Sequence, residues 1–529
     1  MTMPARSLVE LYARACDEYA QRPALGRRTE RGWIWLTYAD LEQQIDTVRG
    51  GLRQLGVGFQ DRVAIVSDNR IEWPAACYAC FGLGAVLVPI AEAAAPAEWK
   101  AILADSHARV VIAGRADVVD ALEVMREDLP ALEHIVGIDV PAEDVRSFVT
   151  LCARGASLAG PALEPAPDTL AELVYSHDGA GPLHLSHARL IANVRALQEL
   201  LPIDPDEQDV RCVASVPWAH VLGRLADLHH GLGSGVAVAI PGDPARLLAE
   251  IADVRPTRLV AGPALLRHIY HVVIQDVWQQ PPLLQRMFHD GLAAAARKTA
   301  GEPVGLIDQL ELFLDEELIF ARVRDQLGGR LSSVLCAGGL CHEVAGVLQA
   351  MGVAVVGVDA VGPIDDEGHL MVSPERDEYQ LSTGQSVVPA PVEEAIKLSP
   401  YVRDVMVYGQ GHRHNVALVV PDVDAVAGLA QRLGVPLADP ASDQAVVLLL
   451  AEQMRERLEG FPRHVVPRRF AVIGEEFSVE NGLLTAALEL RRERIAARYS
   501  AEINYLYTTP PPPPRPRRPR TAPPPHSSH

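Results

Sequence analysis

Residues 62–114 read RVAIVSDNRIEWPAACYACFGLGAVLVPIAEAAAPAEWKAILADSHARVVIAG, and their texture alternates. RVAIVSDN (62–69) is a short apolar run that reads as a buried strand. IEWPAACYACFGLGA (71–85) is long enough for a helix, and VLVPI (86–90) is again a strand. PAEWKAILADS (96–106) begins with Pro and reads as a helix, after which RVVIAG (109–114) supplies another strand. Strands alternating with helices in this way argue for a parallel α/β sheet.

Working outward, the stretch upstream is helical in pattern from Ser7 to Gly56: SLVELYARACDEYAQRP, then TYADLEQQIDTVRGGLRQLG with apolar residues at helical spacing and a closing Gly. Downstream, the α/β alternation resumes from Ala171 to Ile240, in RPTRLVAGPALLRHIY (255–270), and in GGRLSSVLCAGG (328–339) followed by VAVVGVDA (353–360). After Gly362 the texture changes. VGPIDDEGHLMVS (361–373) reads as a turn between short strands, and PVEEAIKLSP (391–400) as a helix with Pro in its first turn. VRDVMVYGQGHRHNVALVVPD (402–422) reads as strand–turn–strand. The expected fold class is therefore α/β. A large N-terminal domain of parallel or mixed sheets with helices spans 1–372, and a smaller C-terminal α+β domain spans 375–507. A disordered Pro/Arg tail completes the chain at 508–529. That tail, TTPPPPPRPRRPRTAPPPHSSH, has four arginines, no acids and no apolar residues able to join a core. It reads as a solvated arm, with a proline-recognising or acidic protein partner as the sharper alternative.

Length and composition bound the function. At 529 residues the chain exceeds what one core supports, and 48% hydrophobic with 22% charged residues is a globular balance. A net charge of −20 argues against nucleic acid as a partner. There is no uncharged apolar run long enough for a transmembrane segment, and the N-terminus lacks the apolar core of a signal peptide. The seven scattered cysteines, including the Cys77/Cys80 pair, read as free core thiols in a reducing compartment, not as zinc or redox centres. A cytoplasmic location is expected, with peripheral attachment to a membrane left open. His229-His230 and His412-x-His414 lack further ligands at zinc-site spacing, so no metal site is assigned and all four are taken as loop histidines. Of 48 basic residues only Lys100, Lys298 and Lys397 are lysines.

The segment VPWAH (216–220), followed by LADLHHGLGSGVAVAI (225–240), resembles the adenylate-forming AMP-dependent synthetases, specifically long-chain acyl-CoA synthetases. VRPTRLVAGPALLRHIY (254–270), GGRLSSVLCAGG (328–339), STGQSVVPAPVEEAIKLSPYVRDVMVYG (382–409) and VENGLLTAALELRRERIAARYSAEINYLY (479–507) resemble further segments of that group in order. The resemblance implies a fatty acid–CoA ligase that works through an acyl-adenylate with ATP, magnesium and CoA. In that scheme a small C-terminal domain swings between the two half-reactions.

Individual residues depart from that pattern. The family's phosphate loop reads Tyr-Thr-Ser-Gly-Thr-Thr-Gly-x-Pro-Lys-Gly, where backbone amides, hydroxyls and a Lys cradle the triphosphate. Here AELVYS (171–176) leads into His177-Asp178-Gly179-Ala180-Gly181-Pro182-Leu183-His184, so Ser176, Gly179 and Gly181 line a degenerate loop and His184 stands nearest the Lys. Asp178 would set a carboxylate against phosphate, a repulsion of about 4 kcal/mol for unit charges ~4 Å apart at an effective dielectric of ~20. The family's aromatic–Gly–x–Thr–Glu turn and ribose-binding Asp have no clear counterpart, and an internal deletion is expected near 357–362. At the hinge, Pro374 replaces a flexible residue and Arg376 is the candidate for the family's Arg. Glu489 occupies the position of the C-terminal catalytic Lys. His220 and the Gly338-Gly339 turn match the family's acyl and adenylate pocket, although each also has a purely structural role available.

Four departures fall on one substrate, ATP. The first expectation is a catalytically impaired pseudoenzyme, with no cofactor assigned, that binds an acyl chain, CoA or a protein partner. The alternative is an active long-chain fatty acid–CoA ligase that uses ATP, magnesium and CoA; a third is a subunit that modulates an active paralogue.

Overall fold

The computed structural model describes residues 5–158, 160–175, 182–203, 209–243, 246–278, 321–336, 342–357, 378–434, 443–479, 481–485 and 490–508, with 207, 280–282, 285, 286, 288 and 292 between them. Two sheets build the large domain. One has the order β13-β12-β11-β9-β10-β1-β2. Its strands are β1 (Pro23–Thr29), β2 (Gly32–Thr37), β9 (Arg211–Ala214), β10 (Ala237–Ile240), β11 (Arg258–Ala261), β12 (Ser333–Cys336) and β13 (Ala354–Gly357). All neighbours in it are parallel except β1 and β2. The other has the order β6-β5-β3-β4-β7-β8, from β3 (Arg62–Val66), β4 (Val86–Ile90), β5 (Val110–Ala113), β6 (His134–Gly137), β7 (Leu170–Tyr175) and β8 (Pro182–Ser186). It is parallel apart from the β7–β8 hairpin.

The unbroken apolar runs arise because both sheet faces are covered. On β3, Val63 and Ile65 enter the core between the sheets, and Ala64 and Val66 enter a separate core on the opposite face. Helices Leu8–Tyr19, Tyr38–Gln54, Glu72–Phe81 and His187–Leu200 contribute to that central core. Cys77 and Cys80 lie buried in it as free thiols.

One stretch departs from the helical expectation for 7–56. Between the two expected helices, Pro23–Thr29 and Gly32–Thr37 form an antiparallel hairpin. GWIWLT carries aromatic and β-branched residues that favour a pleated surface, and Gly32 takes φ +118° at the turn. The pairing of β1 with β10 rewards the extended form.

The small domain is a sheet of β16 (Val402–Tyr408), β17 (Val416–Pro421) and β18 (Arg469–Val472), preceded by the short pair β14 (Tyr379–Gln380) and β15 (Ser386–Val387). Helix Ala390–Lys397 starts on Pro389 and Pro391, as the sequence predicts. Its Glu393 accepts two hydrogen bonds from Arg492, at 2.7 and 2.6 Å, and one from the Val407 amide at 2.6 Å. This ties helix, sheet and C-terminal segment together. Among the described residues no helix is long and apolar enough to cross a membrane. The expected tail at 508–529 lies outside the described residues beyond Thr508, as do the boundary at 372–375 and the expected deletion from 358 onward.

Candidate functional site

The strands of open α/β sheets carry their ligands beyond their carboxyl ends. Here the carboxyl ends of the two sheets meet. Asn69, just past β3, donates to the carbonyls of Ala214 and Val216 at 3.3 and 2.9 Å and accepts from the Trp218 amide at 2.7 Å. Those partners belong to the end of β9 and the VPWAH segment after it. Trp218 is fully buried and packs edge-on against Trp73, with ring centroids 6.0 Å apart.

His220 ends that segment. Its ring Nδ1 accepts from the Leu222 amide at 3.3 Å, which caps the helix that starts at Val221. The structural role open to His220 is thus to open a helix, not to close the strand before it. A Cβ on Gly223 would stand 2.7 Å from the Pro217 carbonyl, so this close approach needs glycine.

The capped turn runs into a π-helix, Arg224–Leu232, in which every residue is buried. Arg224 donates to both carboxylate oxygens of Glu172 on β7, at 2.8 and 2.6 Å, and to the carbonyls of Trp218 and Ala219. His229 Nε2 lies 3.4 Å from Glu172, and its Nδ1 lies 3.1 Å from the Tyr78 hydroxyl. Burial alone would raise the Glu172 carboxyl; Arg224 foremost, then His229, outweigh it and hold it at about 2. Asp227, three residues along the same helix, has only Trp218 Nε1 at 3.3 Å and Cys212 Sγ at 3.9 Å, and burial pushes it up to about 8. One carboxyl is thus ionised and its neighbour neutral, and Arg224 decides which. Both side chains are sealed from solvent, so they position the π-helix and do not themselves meet a substrate.

His229 and His230 are therefore not loop residues. They lie in the π-helix at 0% and 2% exposure, and burial keeps both neutral. The sequence signal was present in LADLHHGL, where Asp and His interrupt an apolar helical pattern. The partner of His229, Glu172, lies 57 residues away, beyond any local pattern. His412 and His414 do lie in the β16–β17 loop, and His412 stacks on Tyr507 with centroids 3.8 Å apart.

Of the expected phosphate-loop residues, His184 lies exposed on β8 with its ring 3.1 Å from the Pro182 carbonyl. Ser176, Gly179 and Gly181 lie outside the described residues, as do Gly338, Gly339, Arg376 and Glu489. Their sequence positions are informative nonetheless. Ser176 follows directly on the carboxyl end of β7, and Gly338 and Gly339 follow that of β12. The two described lysines lie elsewhere. Lys100 pairs with Asp128 at 2.6 Å, and Lys397 with Asp404 at 3.1 Å and Glu394 at 3.6 Å, while Lys298 is outside the described residues. Among the described residues no three His, Cys, Asp or Glu side chains gather in a metal-binding group. An apolar cavity of about 310 Å³ opens between helices Leu247–Val254, Pro263–Trp278 and Ala321–Gln326, lined by residues such as Leu248, Ile269 and Leu327, with no charged group.

Sequence comparison decides the family. The model of the AMP-binding enzyme family matches residues 12–345, and that of the AMP-binding enzyme C-terminal domain matches 376–510. The chain belongs to the AMP-binding enzyme family. Within it, the chain is 22% identical to the long-chain-fatty-acid–CoA ligase FadD15 of Mycobacterium bovis, over 90% of this chain and 92% of the relative. It is also 22% identical to long chain acyl-CoA synthetase 8 of Arabidopsis thaliana, over 96% and 89% of the two chains. The first alignment spans 567 positions, more than the 529 residues of this chain, so the relative carries residues without a counterpart here. Among solved structures, the adenylation domain of a carboxylate reductase from Mycobacterium chelonae superposes with a TM-score of 0.73 at 20% identity, covering 96% of this chain and 92% of that one. The corresponding domain from Segniliparus rugosus, in complex with AMP and a co-purified carboxylic acid, gives 0.70 at 19% identity and covers 95% and 94%. These likenesses establish the AMP-binding enzyme fold.

Proposed function

We propose that this AMP-binding enzyme is impaired in adenylation and acts by binding, with an acyl chain, CoA or a protein partner as its ligand. The observation that carries the proposal is the supply of cations at the carboxyl edge. Both described lysines are held in ion pairs elsewhere; His184 stands nearest the place of the family's phosphate-loop lysine, and Glu489 occupies that of its C-terminal lysine. Losing one preorganised donor aimed at developing charge costs about 2.7–4 kcal/mol of transition-state stabilisation, or roughly 10²–10³ in rate. Asp178 in the phosphate loop opposes the same charge. The residues present do not suit a magnesium–triphosphate.

Restoring the lysine tests this directly. Glu489→Lys is expected to leave acyl-CoA formation at background across a fatty-acid panel, because the loop and hinge departures remain; recovered turnover would overturn the proposal. The Pro/Arg tail is the candidate arm for a protein partner. Deleting residues 508–529 is expected to abolish capture of that partner without changing thermal stability.

A second reading, an active long-chain fatty acid–CoA ligase in a cytoplasmic setting, draws support from the names of the relatives and the breadth of their match. Purified protein that forms acyl-CoA from any fatty acid would favour it.

A further inference from the structure

The small domain is fastened to the large one by one apolar and three ionic contacts. Leu398, at the end of helix Ala390–Lys397, is 1% exposed and belongs to a core cluster that is otherwise built from the large domain. Glu394 on the same small-domain helix pairs with Arg267 of helix Pro263–Trp278, both side chains about 15% exposed. Arg457, at the end of helix Gln444–Arg457, lies 3.3 Å from Glu343. Arg491 reaches Glu98 on helix Pro96–Ser106 at 2.7 Å, with side-chain exposures of 12% and 21%. Burial first, then Arg267 and Arg457, keeps the neighbouring His271 ring neutral.

The polarity of these pairs is mixed. The large domain presents one base, Arg267, and two acids, Glu98 and Glu343, and the small domain presents Glu394 with two arginines, Arg457 and Arg491. A single-sign patch would tolerate sliding; a mixed pattern does not, because turning the small domain sets like charges together.

We infer that the small domain is clasped to the large domain in one orientation by these three ion pairs, with Leu398 as the apolar anchor. Glu98 and Arg491 are 393 residues apart in sequence, so their pairing depends on the docked arrangement and not on local structure. The inference rests on the contacts alone, whatever chemistry the chain performs.

Hydrogen–deuterium exchange of the full chain tests the clasp at a distance from the substitutions. Glu98→Arg and Arg491→Glu are each expected to speed exchange roughly tenfold in the segments Pro263–Trp278 and Ala390–Lys397, which contain neither change. The double variant, with the charges exchanged, is expected to return both segments to the parent rate. Unchanged exchange in both single variants would overturn the clasp, as would a double variant as labile as the singles. Protection of β3 and β17 reports whether each domain stays folded. If it is lost, the parent chain measured at low salt and at about 1 M salt takes their place. Interface exchange that rises with salt supports the clasp, and no rise overturns it.

Discussion

Removing a single guanidinium from the seam between the sheets should cost more than most core truncations. Arg224→Met leaves the Glu172 carboxylate buried without its counter-charge, a change expected to destabilise by about 3–5 kcal/mol in denaturant unfolding. Pairing it with Glu172→Gln should recover most of that loss, since no buried charge then stands alone. The neighbouring Asp227 gives a pH signature of opposite sign. Its carboxyl is protonated in the fold up to about 8 but ionises near the ordinary aspartate value of 3.8 once unfolded. The folded state therefore binds the extra proton, and stability falls as pH rises between those values. His187, held down at about 4 by burial, and His230, at about 3, act the other way, with stability lost as pH falls below about 6.5. Between pH 6.5 and 8 only the Asp227 slope remains among these groups, so Asp227→Asn should flatten it in melts taken across that window. None of this was legible in AELVYS or LADLHH. The pattern of each segment indicates burial, but the partner that makes a buried charge tolerable comes from another element.

At the scale of elements, the run from Arg62 to Gly114 resolved as the sequence predicts because its strands are buried on both faces and its second helix starts on Pro96. The hairpin at 23–37 escaped notice because β1 depends on β10, more than two hundred positions away, for its pairing. The π-helix was equally hidden, since a local pattern does not distinguish its winding from an α-helix. His220 occupies the junction where that helix begins, and its role as a cap is separable from ligand contact. Asparagine is a better N-cap than most residues, so His220→Asn should keep the melting temperature within a degree or two, whereas His220→Ala should lose about 0.5–2 kcal/mol. An Asn variant that folds normally but loses acyl-chain binding would place His220 at the ligand itself.

Across the whole molecule, length, apolar balance and the order of family-like segments were enough to anticipate two unequal domains and the AMP-binding enzyme fold. The arrangement of those domains was not, because the clasp joins residues such as Glu98 and Arg491 that no local pattern relates. The distribution of lysine is likewise a property of the whole chain. With three in 529 residues, and the described ones committed to ion pairs, the cations on which adenylation draws are scarce throughout. Calorimetric titration of the folded protein with ATP and magnesium tests that claim most directly, because it requires no choice of acid. No heat of binding up to millimolar ATP is the predicted result. Saturable binding in the micromolar range would contradict the account and restore the ligase reading.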